Sequence, residues 1–443
     1  MSRDDDAAWN GCLVMGETMQ TIMGVIADDL TGGMETASMF VALGVGCGFV
    51  TRPELVASSA PEPVMVVAQK TRVIPAAEAT RQCASAAQAL LEAGARQLFF
   101  KYCATFDSTD EGNIGPVTDR LLEMVGEDRT LFCPTAPEAG RTVYNGHLFV
   151  GSELVSDSPK RYDPLTPMTD PDLVRVLQRQ TRAKVGFLPH RLVRHGGKPL
   201  RAHVEEAGSR GIRYWIADAI YDEDLAAIAT LTADWRLVTG NSPIVQHFPP
   251  LWRQRGWLDD APRKLALPAI DSPGVVLAGS CADRTLEQLA QFEQQRPVLR
   301  IDIAETASVE GAVADSLAWA RRHLGEGPAA IATSAAPDAV RAAQARFGRD
   351  GAARFAEEIL SGLAVALHEM GVRRFVVAGG ETSGAVVERL GIDRLRIGAY
   401  QGPGVARATT EGDDPIGLCL KSGKLGPVGM FLPTLESMRR AEM

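Results

Sequence analysis

The sequence predicts an α/β protein of two domains, each a mostly parallel sheet flanked by helices. Three observations carry that prediction. The chain has 443 residues, too many for one ordinary hydrophobic core. Short apolar runs alternate with helix-period stretches from Met23 to about Pro250, and again from Val275 onward. Polar or glycine-rich loops follow the apolar runs, at the strand ends where open α/β sheets collect ligands.

In chain order, the run 25–27 predicts a buried strand, and Asp28 and Asp29 follow at its carboxyl end. Thr31, Gly32 and Gly33 then open a helical segment that runs to Leu43. This stretch alone leaves two readings open: a binding loop, or one aspartate capping the helix and another lying in solvent. A strand over 64–68 ends at Gln69-Lys70-Thr71-Arg72, and an alanine-rich helix over 76–93 is closed by Gly94. The strand 98–100 delivers Lys101 and a polar loop with Asp107, Ser108 and Thr109. The strand 131–133 leads toward Arg141. Together these strand ends can surround a polyhydroxylated anion. Lysine and arginine would hold its carboxylate, and the aspartates would accept hydroxyl hydrogen bonds and take a proton. The proline-rich stretch 149–170 predicts an ordered excursion, either closing over a site or merely connecting. A strand over 212–218 and a helix over 222–231 follow, and the aperiodic stretch 251–273 is the expected linker.

The second domain, 274–443, opens with a strand over 275–278 followed by Gly279-Ser280-Cys281-Ala282-Asp283. Further strands are expected over 298–303 and 330–334. A long helix over 352–370 places Phe355, Ile359, Leu360, Leu363 and Leu367 on one stripe, a core face. The sharpest local signal is the strand 375–378 running into Gly379-Gly380-Glu381-Thr382-Ser383-Gly384, ahead of a helix over 385–390. Glycines and hydroxyls at a helix start expose N–H groups suited to phosphate oxygens, though a tight turn has the same composition. Neither a GxxxxGK[ST] loop nor a GxGxxG fingerprint is present. A basic glycine loop, Lys421-Ser422-Gly423-Lys424, follows the strand 416–420.

Composition narrows the classes. Hydrophobic residues make up 45% and charged residues 23%, with a mean hydropathy of -0.03, as in a soluble globular protein. No membrane partner is expected. A net charge of -9 argues against nucleic acid as a partner, while leaving room for a local basic pocket. Seven scattered cysteines without CxxC spacing predict neither disulfides nor a zinc site, and no metal ligand set is expected from the chain itself. Residues 1–22 lack a secretory signal pattern and are expected to form a flexible extension of a cytoplasmic protein.

Several ordered motifs resemble the four-carbon acid sugar kinase family, in its ATP-dependent 3-oxo-tetronate kinase branch. They are GVIADDLTGG at 24–33, FKYCATFDSTDEGNIGPVTD at 100–119, PEAGRTVYNGHLFVG at 137–151 and DPLTPMTD at 163–170. In the second half they are AGSCADRTLEQ at 278–288, VVAGGETSGAVVERLG at 376–391, GPGV at 402–405 and LKSGKLG at 420–426. The resemblance implies a sugar-acid-binding domain, a nucleotide-binding domain and an active-site cleft between them. Carried over by position, it implies ATP contacts from Ser280, Gly379, Gly380, Glu381, Thr382 and Gly423, with Mg²⁺ arriving on the nucleotide. The substrate side would hold Asp28, Asp29, Lys101, Asp107, Ser108, Thr109 and Arg141. Of these, Asp28 or Asp29 would accept the hydroxyl proton, while Lys101 and Arg141 would hold the acid or neutralise the transferring group.

The implied reaction moves the γ-phosphoryl of ATP to the terminal hydroxyl of 3-oxo-tetronate. Threonate, erythronate or 3-oxo-isoapionate kinases, or a non-catalytic sugar-acid sensor, are the alternatives. A homo-oligomer is left open. The chain departs from the family pattern at Thr239-Gly240-Asn241-Ser242-Pro243, Ala282, Ala406-Arg407 and Lys424-Leu425.

Overall fold

The computed structural model describes residues 21–163 and 165–441. Most of the expected extension 1–22 lies outside these. Its last two residues correct that expectation: Thr21 and Ile22 are buried, and the Ile22 N–H donates to the Pro63 carbonyl at 2.7 Å.

The first domain is built on strands β1 (Met23–Ala27), β2 (Cys47–Val50), β3 (Val64–Ala68), β4 (Gln97–Lys101) and β5 (Thr130–Cys133). A small antiparallel sheet follows, made of β6 (Arg141–Tyr144), β7 (His147–Val150) and β8 (Glu153–Leu154), and then β9 (Lys184–Leu188), β10 (Ile212–Ala217) and β11 (Leu237–Gly240). Its helices are α1 (Leu30–Ala42), α2 (Ala76–Glu92), α3 (Ile114–Val125), α4 (Leu173–Gln178), α5 (His190–His195), α6 (Gly197–Ser209), α7 (Asp222–Thr232) and α8 (Phe248–Gln254). The main sheet has eight parallel strands in the order β2-β3-β1-β4-β11-β5-β10-β9. Every residue of β1, β3 and β4 is buried, because helices cover both faces; their sequences are therefore continuous apolar runs rather than alternating ones.

The second domain holds β12 (Gly274–Ala278), β13 (Val298–Arg300), β14 (Ala329–Ala332), β15 (Arg374–Ala378), β16 (Arg396–Ile397), β17 (Val405–Thr409) and β18 (Gly417–Lys421). Its helices are α9 (Asp283–Glu293), α10 (Val309–His323), α11 (Pro337–Phe347), α12 (Arg349–Glu369), α13 (Gly380–Arg389) and α14 (Phe431–Ser437). The strand order is β13-β14-β12-β15-β18-β17-β16, parallel as far as β18 and antiparallel beyond it. The apolar stripe of α12 packs as core, with Leu360, Leu363 and Leu367 fully buried. Among the described residues, no helix is long and apolar enough to cross a membrane.

Two boundaries differ from the sequence reading. The stretch expected as linker from residue 251 begins inside α8, where buried Trp252 stacks on Phe40 of α1 with ring centroids 5.7 Å apart. The helix expected over 385–390 starts five residues earlier, at Gly380. Gly379 has φ +132°, a conformation that side-chain-bearing residues rarely adopt, so the chain turns sharply there and the glycine-hydroxyl segment becomes the first helical turn.

The domains meet along α1. The Glu35 carboxylate on this helix accepts from the Gly404 N–H at 2.7 Å and from the Ser242 hydroxyl at 2.9 Å. Ser242 lies in one of the loops that depart from the family pattern, so that loop braces the helix whose first residues enter the cleft. Tyr400 donates to Glu138 at 3.0 Å across the same boundary.

Candidate active site

The carboxyl ends of both sheets open into one cleft of about 1010 Å³. From the first domain it is lined by Asp29, Lys101, Asp107 and Arg141; from the second by Ser280, Gly379, Gly380, Glu381, Thr382 and Gly423. The structure thus brings together most of the residues singled out in the sequence, although they come from six separate strand-end segments.

Asp28 and Asp29 leave β1 into different settings. Asp29 lines the cleft and caps α1, accepting the Gly32 N–H at 3.1 Å. It also accepts from Lys101 Nζ at 3.2 Å and from Arg72 at 2.7 Å. Burial alone would raise this carboxyl, but Arg72 and Lys101 outweigh it and hold Asp29 below the usual carboxylate range. Asp28 sits behind it, only 4% exposed, clamped by the Arg72 guanidinium through two bonds of 2.8 and 2.7 Å. Burial raises Asp28 against the pull of Arg72. Capping and site membership therefore coincide at Asp29, and the second aspartate is buried rather than solvated.

Lys101 is itself buried, and the close passage of its side chain requires glycine in the first turn of α1. A Cβ on Gly32 would fall 1.7 Å from Lys101 Nζ. Asp107 is held by Lys160 at 2.6 Å and by the Thr105 hydroxyl at 2.6 Å; burial opposes ionisation, but Lys160 and Arg72 lower its pKa. The backbone here is strained: Phe106 and Asp107 have φ of +64° and +41°. Lys160 also pairs with Asp163 at 2.9 Å, which ties the proline-rich excursion to the site. Arg141 is the sugar-side cation without a carboxylate partner among the described residues; it donates to the Ala139 carbonyl.

Ser108 and Thr109 are placed differently from the expectation. The Ser108 hydroxyl is buried against the Gln180 amide at 2.8 Å, and Thr109 lines a separate small pocket on the far side of its loop. The left-handed residues Phe106 and Asp107 turn the chain, so only Asp107 of that triplet faces the cleft.

On the other wall, Gly379 follows β15 and the first-turn N–H groups of α13 have no intrahelical acceptor. That donor set fits phosphate oxygens. Beneath it, buried Lys421 donates to the Thr285 hydroxyl at 3.0 Å and to the Gly423 carbonyl at 3.1 Å, shaping the last loop.

Comparison with known proteins assigns the same halves. The sugar-binding N-terminal domain family matches residues 23–248, and the nucleotide-binding C-terminal domain family matches residues 275–431. The chain belongs to the four-carbon acid sugar kinase family. A 3-oxo-tetronate kinase of Burkholderia multivorans is 44% identical over 417 residues, covering 94% of this chain and 97% of that protein. The Cupriavidus necator 3-oxo-tetronate kinase is 44% identical over 421 residues, with coverage of 94% and 97%. A crystal structure from Salmonella typhimurium, 35% identical, superposes with a TM-score of 0.83 over 93% of this chain and 98% of that one.

Arg72 and Lys160 are cleft residues of this kinase that the sequence reading did not single out. Arg72 closes the loop after β3, so the strand-end reasoning that found Lys101 extends to it. Lys160 lies in the proline-rich excursion, and nothing in its local sequence marks it.

Proposed function

We propose that this kinase transfers the γ-phosphoryl group of ATP to the terminal hydroxyl of 3-oxo-tetronate (3-dehydro-erythronate), forming the 4-phosphate. The supporting observation is the single cleft in which paired side-chain charges face backbone donors and glycine loops. The names of the relatives at 44% identity point to the same acceptor. The sugar acid is bound by the first domain, which ends with α8 at Gln254, and the nucleotide by the second, which starts with β12 at Gly274; the stretch between joins them.

In this reading Asp29 receives the hydroxyl proton as the hydroxyl oxygen bonds to the γ-phosphorus and the bond to the bridging oxygen of ADP breaks. A carboxylate held low is a weak base, which suits a loose transition state in which the proton leaves late. Asp28 and Arg72 fix its position. Arg141 holds the acid's carboxylate by a planar fork, and Lys101 lies against the transferring group. Ser280, Gly379, Gly380, Glu381, Thr382 and Gly423 surround the nucleotide's phosphates. The magnesium we infer would come with the nucleotide and neutralise phosphate charge. The domain contacts through Glu35 and Tyr400 hold the cleft walls together. A cytoplasmic setting rests on the free cysteines, none of them bridged among the described residues.

The test is ADP release from Mg-ATP against 3-oxo-tetronate of both configurations, threonate, erythronate and 3-oxo-isoapionate, with a no-acceptor control. Turnover on 3-oxo-tetronate well above the others supports the reading. Preference for another acid transfers the assignment to that substrate.

A further inference from the structure

Glu35 lines the same cleft as Asp29 but takes no part in the proton and phosphate contacts of the proposed reaction. Its two carboxylate oxygens serve different domains. Oε2 accepts from the Ser242 hydroxyl of the first domain at 2.9 Å, and Oε1 accepts from the Gly404 N–H of the second at 2.7 Å. Each side continues to one half of the site. In the first domain, Ser242 Oγ lies 3.0 Å from the Thr36 hydroxyl, which donates to the Gly32 carbonyl at 2.8 Å, and the Gly32 N–H is the group that Asp29 caps. Thr36 and Ser242 are both fully buried. In the second domain, the Gly404 carbonyl accepts from the Ser422 N–H at 2.9 Å, next to Gly423. Those two loops are packed without slack: a Cβ on Gly404, where φ is +67°, would fall 2.6 Å from Leu425 Cδ1 and 3.1 Å from Ser422 Cβ. The loop held by Glu35 therefore carries the Gly423 loop with it.

We propose that Glu35 is a positioning residue for phosphoryl transfer, fixing the separation between the acceptor hydroxyl at Asp29 and the γ-phosphoryl group beside the Gly423 loop. The proposal rests on the kinase reading and adds the element that registers one half of the site against the other. Transfer requires the reacting atoms to be held about 3–3.5 Å apart, and a displacement on the order of 1 Å costs about a hundredfold in rate. Hydrogen bonds accepted by a carboxylate are shorter and stronger than neutral ones, and burial of Ser242 shields one of them from water. Other contacts hold the domains as wholes. The Thr51 N–H donates to the Asp393 carbonyl at 3.0 Å, the Leu395 N–H to the Phe49 carbonyl at 3.2 Å, and Lys70 pairs with Glu388 at 2.9 Å. Loss of the Glu35 carboxylate therefore frees the loops around Gly404 and Gly423 and leaves the domains joined.

The test compares the full chain with its Glu35→Ala, Glu35→Gln and Ser242→Ala variants in three readouts: amide hydrogen exchange around Gly404 and Gly423, steady-state kinetics with Mg-ATP and 3-oxo-tetronate, and inorganic phosphate released without sugar phosphate. Glu35→Ala is expected to speed exchange in both loops at least roughly tenfold. Its kcat should fall by about 10- to 100-fold with both KM values within about twofold of the parent. A larger share of its ATP should end as ADP and inorganic phosphate, because water takes the place of the displaced hydroxyl at the γ-phosphorus. Ser242→Ala, which leaves the Gly404 bond in place, should move all three readouts in the same direction by less than about tenfold. Glu35→Gln should recover to within about threefold of the parent, since its amide oxygen can accept from Gly404 and its amide nitrogen can donate to Ser242. Unchanged exchange in Glu35→Ala, or an amide variant as slow as the alanine one, overturns the positioning role; the second result would make the negative charge itself the active feature. If Glu35→Ala does not fold, Ser242→Ala and Glu35→Gln decide the matter by the same readouts. Loss confined to the variants leaves the kinase reading standing, whereas an unmodified chain that phosphorylates no sugar acid removes that reading and the positioning role with it.

Discussion

The two domains start from the same scaffold. β2-β3-β1-β4 and β13-β14-β12-β15 are both parallel runs in which the first strand of the domain lies third in line. Corresponding strand ends nevertheless carry different chemistry. Asp28 and Asp29 follow β1 where Gly279 and Ser280 follow β12. Arg72 follows β3 where Thr333 and Ser334 follow β14, and Lys101 ends β4 where Gly379 and Gly380 follow β15. The first set is a network of side-chain charges that fix one another; the second is backbone donors, hydroxyls and space. A small sugar acid carries one charge and several hydroxyls, so its site must supply preset charges and acceptors. A nucleotide brings its own charge and bulk, so its site needs room and N–H groups.

The sharpest way to break this comparison is to remove one charge from the first set. Asp29→Asn retains an oxygen to cap α1 but cannot take the hydroxyl proton, and kcat is expected to fall by roughly 10²- to 10⁴-fold with the ATP KM little changed. Asp28→Asn, behind the cleft, should cost far less in kcat. Equal turnover by the two variants in steady-state assays would remove Asp29 from its role.

Next in size is the stability of the network. Arg72→Met leaves Asp28 and Asp29 facing each other with only Lys101 between them, and breaking a buried pair in this way costs about 3–5 kcal/mol. Urea unfolding should show that loss. A variant as stable as the parent would mean that the charges are not mutually fixed.

How far the sequence reveals this site follows from the same contrast. Glycine and carboxylate signals at strand ends are local, so Asp28, Asp29, Gly379 and the alternation of strands and helices could be read directly. Lys160 reaches Asp107 from a loop 53 positions further along the chain, and that pairing depends on tertiary folding alone. The placement of Ser108 and Thr109 away from the cleft follows from left-handed backbone at Phe106 and Asp107, a conformation that a bulky aromatic such as Phe106 rarely adopts.

Two smaller effects separate the walls. Arg141→Met is expected to raise the sugar-acid KM by about 10- to 100-fold, the range of one charged hydrogen-bonded contact, without altering the ATP KM. Gly379→Ala acts on the other wall: φ +132° strains any side chain by about 1–3 kcal/mol, so the ATP KM should rise while acceptor binding holds. If both variants moved both constants together, the division of labour between the domains would be wrong.

The smallest effect concerns a buried lysine on the nucleotide side. Lys421 is buried under the Gly423 loop, and burial pushes its pKa down to about 8, with Arg284 adding to the fall and Cys419 opposing it. Nucleotide phosphates nearby would favour the charged form, so near pH 8 ATP binding should take up protons, measurable by calorimetry in buffers of different ionisation enthalpy. Above that pH the free protein loses the charge, and the ATP KM should rise roughly threefold to tenfold by pH 9. Stability runs the other way. Between about 8 and the ordinary 10.5, the unfolded chain still binds the proton that the folded chain has released, so folding becomes more favourable as pH rises through that window. Lys421→Met should abolish both trends. A KM that rises with pH in this variant as well would assign the titration to another group and leave Lys421 as a support for the loop.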